Sequence, residues 1–237
     1  MRWIVRSGAL VLAMLCGNLT AGGVQASMPS AVPSAVPIEQ EPAHRLVLQN
    51  EYVRVFEVRL PPGDATLWHL HVHDGVSVRL SDAIIEDQPK DGQAKTYRLR
   101  RGEVTYGATP TALTHQVRNV GETTFHNVYV ELLTPPGVSA DHTRAAAPDP
   151  RIVLENDRVR ALQRILAPGE ATALHTHASR AVGVPVTAGR LEIADPEGAA
   201  KTVEVKVGAV QWIEPGTTHR LKNVGDAAIE IVDIELK

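Results

Sequence analysis

Histidine is spaced in this chain as metal ligands are spaced. Gly63 is followed six residues later by His69-Leu-His71, and His115 lies about forty residues further on. Gly169 is followed at the same interval by His175-Thr-His177, and His219 completes the second set. On a β-strand, residues i and i+2 point to one side, with Cα atoms about 6.5–7 Å apart. Both rings of each pair can therefore converge on one ion, with nitrogens about 2.0–2.1 Å from a metal the size of zinc. A third imidazole from a neighbouring strand would leave two or three coordination positions for water or substrate. Clustered neutral imidazoles suit a divalent transition metal: Fe, Mn, Ni, Cu or Zn. One His-x-His pair would serve equally as polar packing; two matched copies with a matched third histidine argue for His69, His71, His115, His175, His177 and His219 as ligands.

His73 continues the first alternation and is expected on the same face. Three alternate residues span about 13 Å, too far for one ion to hold all three symmetrically. His73 is thus expected as a catalytic acid or base in the pocket, or as an alternative ligand near its rim. Ser179 stands in its place in the second copy, which assigns any chemistry to the first. Asp74 should point to solvent. His126 reads as polar packing and His142 as an exposed loop residue. Tyr106 and Trp212 hold equivalent places and read as core.

These ligands need strands to carry them, and the sequence supplies strands twice. The stretch around residues 48–80 recurs 106 positions later, and His115-Gln-Val-Arg-Asn119-Val-Gly121 matches His219-Arg-Leu-Lys-Asn223-Val-Gly225. Each copy is domain-sized. Tyr52–Leu60, Val76–Leu80, Thr124–Leu132, Lys201–Val207 and Ala228–Leu236 alternate with period two and are rich in β-branched residues, as half-buried strands are. Pro61-Pro62-Gly63, Asp91-Gly92, Pro168-Gly169 and Pro215-Gly216 punctuate them. No amphipathic helix is expected. Arg54 and Arg160 should face outward if their apolar neighbours face inward. Asn119 and Asn223 read as turn formers.

The chain has 237 residues, 43% of them hydrophobic, and a net charge of −3. That is room for two domains, and it gives no reason to expect nucleic acid. Arg2 and Arg6, an apolar run from Ala9 to Leu15 and Val24-Gln25-Ala26 have the form of a cleaved export signal over residues 1–26. The run is too short for a bilayer span. A periplasmic or secreted chain with no membrane segment after cleavage is expected. The single cysteine, Cys16, would leave with the signal, so the mature chain would carry neither disulfide nor thiolate ligand. Residues 27–45 read as a Pro/Ala/Ser-rich tether, 46–133 as the first domain, 134–151 as a linker and 152–237 as the second domain.

The pattern resembles the cupin superfamily, and its duplication resembles a bicupin. Gly63, His69 and His71, with Gly169, His175 and His177, fit the family's first motif. Gly208, Pro215, Gly216, His219 and Asn223 approximate the second. Gly102, His115 and Asn119 keep only its ends, since Thr109-Pro110-Thr111 replaces the turn. The resemblance implies an all-β fold of two consecutive jelly-roll β-barrels, able to pack as an internal dimer. The family's motif glutamate falls at Val76 and Val182, so each site is expected to hold three histidines and no carboxylate. Such a site keeps the ion's full charge and favours a small chelating or anionic molecule. The resemblance leaves three functions open: a non-haem metal-dependent dioxygenase, a non-catalytic small-molecule-binding protein, and an isomerase or lyase. Oligomeric state is also left open.

Overall fold

Period-two alternation in β-branched residues becomes strand almost everywhere. The structure, a computed structural model, describes residues 34–134 and 150–237. The expected signal, nearly all of the linker and His142 lie outside the described residues. The first repeat contains β1 (Val36–Pro37), β2 (His44–Gln49), β3 (Val53–Leu60), β4 (His69–His71), β5 (Gly75–Arg79), β6 (Ala83–Pro89), β7 (Lys95–Leu99), β8 (Val104–Gly107), β9 (Leu113–Asn119) and β10 (Phe125–Leu132). The second contains β11 (Arg151–Glu155), β12 (Val159–Leu166), β13 (His175–Thr176), β14 (Ala181–Pro185), β15 (Gly189–Ala194), β16 (Ala200–Val205), β17 (Gln211–Ile213), β18 (Thr218–Asn223) and β19 (Ile229–Leu236).

Each repeat is a jelly-roll barrel of two sheets. In barrel 1 their orders are β1-β4-β9-β6-β7 and β2-β3-β10-β5-β8. In barrel 2 they are β13-β18-β15-β16 and β11-β12-β19-β14-β17. Among the described residues the one helical element is the 3₁₀ turn Ile38–Gln40.

The tether expected over residues 27–45 is folded from its described start. Val36 pairs in parallel with His69, Ile38 is fully buried, and His44 opens β2. Pro37 sits in a strand of two residues at the sheet edge, where a missing N–H interrupts no central ladder. The Pro/Ala/Ser composition obscured one apolar anchor, Ile38, and one buried carboxylate, Glu41.

The two barrels share a core. Val53, Val55, Val76, Val78, Val128 and Val130 cluster with Val159, Ala161, Val182, Val184, Val232 and Ile234. Each of these valine and isoleucine side chains contributes about 1.5–3 kcal/mol when removed from water, so the sheets are joined hydrophobically. The central strands are consequently buried on both faces. Val53 and Val55 face the other barrel, and residues of the opposite parity face their own barrel's interior, where Phe56 and Val58 join Leu60 and Phe125.

This two-sided burial corrects two expectations. Arg54 and Arg160 are not outward; they pair with Glu131 at 2.7 Å and with Glu235 at 2.7 Å. Asp74 is not a free surface carboxylate. It accepts hydrogen bonds from Tyr106 Oη at 2.5 Å, Thr109 N at 2.7 Å and, across the barrel boundary, Arg158 Nη1 at 2.8 Å. Tyr52 of barrel 1 stacks on Trp212 of barrel 2, with ring centroids 5.7 Å apart.

Candidate metal centres

Strand register brings the histidines together. His69 lies directly opposite His115 in the β4–β9 ladder, and His175 opposite His219 in the β13–β18 ladder. The preceding turns rest on Gly63 and Gly169, both at positive φ (84° and 81°), a conformation open to glycine. Thr66 Oγ1 accepts from Val117 N, and Thr172 Oγ1 from Leu221 N, which locks each ligand-bearing segment to its partner strand. Asn119 and Asn223, fully buried, each donate to two backbone carbonyls and so brace the strand ends.

In barrel 1 the His69 ring lies 5.0 Å from His71 and 4.5 Å from His115, and His71 lies 5.0 Å from His115, centroid to centroid. In barrel 2 the three corresponding separations are 5.3, 4.6 and 5.0 Å. Tautomers follow from the partners. A carbonyl only accepts, so His69 Nδ1–H donates to Leu67 O at 2.9 Å and His175 Nδ1–H to Ala173 O at 3.0 Å. His115 Nδ1 pairs with the Asp87 carboxylate at 2.8 Å, and His71 Nδ1 with the Tyr129 hydroxyl at 3.2 Å. This leaves Nε2 lone pairs on His69, His115 and His175. Those of His115 and His175 are buried with no hydrogen-bond partner, and an orphaned buried acceptor is costly unless something occupies it.

Burial favours the neutral form of His69, His71, His175, His177 and His219. It pushes His69 down to about 3 and His71 to about 2, with the neighbouring imidazoles adding to the effect. Burial likewise lowers His177 to about 4 and His219 to about 3. Neutral imidazoles are the ligand state that divalent metals require. Both clusters are therefore suited to a metal ion.

A seventh histidine is present that the sequence reading omitted. The ligand nitrogens of His44, His69 and His71 all lie within 4.8 Å of one another. The repeat gave no warning, because Pro150 stands at the equivalent place. His73 does not join the cluster. Strand β4 ends at His71, so the alternation expected to carry His73 inward stops there, and the residue lies half-buried in the following bend.

The motif-glutamate position also differs from expectation. Val76 and Val182 belong to the inter-barrel core. The residue preceding Val76, Gly75, has no room for a side chain, since a Cβ there would collide with the Tyr129 ring. In barrel 2 the place of Tyr129 on the last strand is taken by Asp233. Asp233, His177 and His219 line one cavity of about 930 Å³, walled by Leu191, Ile193 and Ile213 among others. Burial pushes the Asp233 carboxyl up to about 6 against the pull of Arg164, which stands 3.5 Å away and is itself buried.

Comparison with known proteins agrees with this architecture. A family model described as a cupin domain matches residues 163–235. A cupin domain from Bordetella pertussis is 31% identical over 40% of this chain and 98% of its own length, with a TM-score of 0.36. AerE from Microcystis aeruginosa is 13% identical, with a TM-score of 0.56 over 83% of this chain and 98% of that one. Oxalate decarboxylase from Bacillus subtilis, a protein with Mn(II) centres, is 14% identical, with a TM-score of 0.53 over 78% of this chain and 69% of that one. No curated protein sequence matches the chain.

Proposed function

The chain belongs to the cupin superfamily, and from that premise we propose that it is an exported metal-dependent dioxygenase acting on a small chelating molecule in barrel 2. The observation that carries this reading is the cavity: two histidines of the barrel 2 trio open onto about 930 Å³ of largely apolar space. That volume suits a small organic ligand. An ion held by His175, His177 and His219 would supply Lewis acidity and, if redox-active, access to dioxygen. The chain's own residues do the rest. The His175 ring is fixed by its bond to Ala173 O. His177 is fixed by its backbone, which accepts from Gly216 N and donates to Thr217 O.

Leu191, Ile193, Val203 and Leu221 keep water from the inner wall and favour a substrate with an apolar body behind its chelating oxygens. Asp233, its carboxyl raised to about 6, lines the cavity with His177 and His219 and can take up a proton and return it. This moves the acid–base role from His73 to Asp233 and the chemistry from the first barrel to the second. Export rests on the sequence pattern of residues 1–26; the mature N-terminus of protein recovered from the periplasm or medium tests it, with Ser27 expected.

The functional test is metal analysis of mature protein purified without chelators or affinity metals, followed by oxygen uptake over a panel of enediols, catechols and diketones. A redox-active metal near one or two per chain, with uptake abolished in His177→Ala, supports the reading. Full metal loading without uptake, unchanged by His177→Ala, would leave a binding module instead.

A further inference from the structure

We propose that barrel 1 holds its ion with four imidazoles, His44 being the fourth ligand and Glu41 the group that aims it. This rests on the metal-binding reading of barrel 1 and extends it. His44 belongs to the N-terminal segment, outside the repeat, yet it enters the barrel. Its partner across the β2–β3 ladder is Val58, an interior residue. Its ring centroid lies 4.8 Å from that of His69 and 6.3 Å from that of His71.

Glu41 determines which nitrogen of His44 is available. The carboxylate is buried and is fully engaged. Oε2 accepts from His44 Nδ1 at 2.5 Å and from Ala43 N at 2.8 Å, and Oε1 accepts from Leu67 N at 3.0 Å. His44 Nδ1 therefore carries the proton, and Nε2 presents its lone pair. A carboxylate behind an imidazole is the arrangement that orients metal-binding histidines and raises their basicity. The same carboxylate positions Leu67, whose carbonyl fixes the ring of His69. One buried group thus organises two of the four imidazoles.

The remaining two are braced as well, His71 by Tyr129 and His115 by Asp87. The ligand nitrogens of His44, His69 and His71 lie within 4.8 Å of one another, and the His115 ring adjoins the same pair, with centroids 4.5 Å from His69 and 5.0 Å from His71. Barrel 2 has no counterpart of His44. Pro150 replaces His44, and Arg164 replaces its cross-strand partner Val58, placing a buried cation where barrel 1 places a donor. The four-imidazole site is peculiar to barrel 1, and it leaves its ion fewer open positions than the trio of barrel 2. The expected consequence is tighter holding and slower exchange in barrel 1.

The test uses the full mature chain carrying His177→Ala, so that barrel 1 reports alone, with Co(II) as the probe. X-ray absorption of the loaded protein counts imidazoles, and chelator competition gives affinity. The informative variant is His44→Asn, whose side-chain amide can still donate to Glu41 while the Nε2 ligand is gone. We expect one Co(II) per chain in the background, four imidazoles, and three after His44→Asn. Glu41→Gln should weaken affinity by about 10–100-fold, the range for a group behind a ligand, and His44→Asn by at least as much. Background protein that binds Co(II) through three imidazoles, with affinity untouched by His44→Asn, overturns the proposal and leaves the three-histidine reading standing. Background protein that binds no Co(II) removes both. Thermal melts of the metal-free variants identify a misfolded protein, and Glu41→Gln then supplies the second, independent comparison.

Discussion

Barrels 1 and 2 share a fold and a histidine trio, and they differ in what stands beside it. Equivalent positions on paired strands make the comparison direct. Arg79 in barrel 1 is Pro185 in barrel 2, Asn127 is Ile231, and Tyr129 is Asp233. In barrel 1 these residues fill the interior: Arg79 donates to Asn127 and Thr105 and stacks over Phe125, and Tyr129 reaches His71. In barrel 2 the smaller set leaves the cavity. Asp87, which braces His115, becomes Ile193, a cavity wall. His177 and His219 then face each other, Nε2 to Nε2, at 3.3 Å. Duplication therefore produced one braced, filled centre and one open centre. Ligand order is what the first interior is built for, and access is what the second is built for.

The comparison breaks most clearly at the ligands. His177→Ala should cut oxygen uptake by at least about 100-fold, a loss beyond that of a supporting residue. His71→Ala should remove the barrel 1 ion and leave most turnover. Equal losses in both variants, read by oxygen electrode and metal analysis, would erase the division of labour. The next effect is steric. Asp233→Tyr transplants the barrel 1 residue into barrel 2 and should raise KM by about 10-fold or more while metal content holds, since one lost apolar or shape contact of about 1–3 kcal/mol gives changes of that order. Unchanged KM would mean that substrate does not use the cavity.

Acid acts on both barrels through their buried histidines, and barrel 2 adds one group of opposite sign. In metal-free protein His69 and His71 titrate near 3 and 2, well below the 6.5 of an unfolded imidazole. As pH falls below about 6.5 the unfolded chain takes up protons that the native state refuses, so stability is lost on acidification. Each such imidazole adds at most about 1.4 kcal/mol per pH unit. Asp233 acts oppositely. Its carboxyl, raised to about 6 from 3.8, binds a proton in the native state before the unfolded one, and so adds stability as pH falls from about 6 towards 3.8. Urea midpoints at pH 7 and pH 4.5 should fall for the wild type and fall further for Asp233→Asn. A midpoint that stayed level in both would contradict the buried, neutral histidines.

How much of this the sequence carried depended on whether a feature repeats. The all-β fold, the two barrels and the pairing of His69 with His115 and of His175 with His219 were legible, because period-two patterning and duplicated spacing report on local geometry. His44, Tyr129 and Asp233 were not, because each differs between the copies or lies outside them. The directions of Arg54 and Asp74 were misjudged for another reason. A strand buried on both faces hides which face belongs to which core, and only the packing of one barrel on the other settles it. His73 failed on length, since alternation predicts a face only while the strand continues.

The smallest effect expected tests bracing itself. Tyr129→Phe removes the hydroxyl 3.2 Å from His71 Nδ1 and keeps the ring that fills the space beside Gly75. The barrel stays packed, so stability should change by only about 0.5–1.5 kcal/mol, the worth of one hydrogen bond. The ligand ring, however, loses the group that fixes its orientation. Barrel 1 should therefore release its ion faster, by about 10-fold, at the lower end for an outer partner. Barrel 2 should release its ion as before. Chelator-driven release resolves the two barrels as two phases, and only the slower phase should accelerate. If both phases moved together, the ions would be coupled through the shared core and the centres could not be treated as independent. If neither moved, the Tyr129 hydroxyl would be a by-product of filling the barrel, and the contrast between the centres would rest on His44, Glu41 and Asp87 alone.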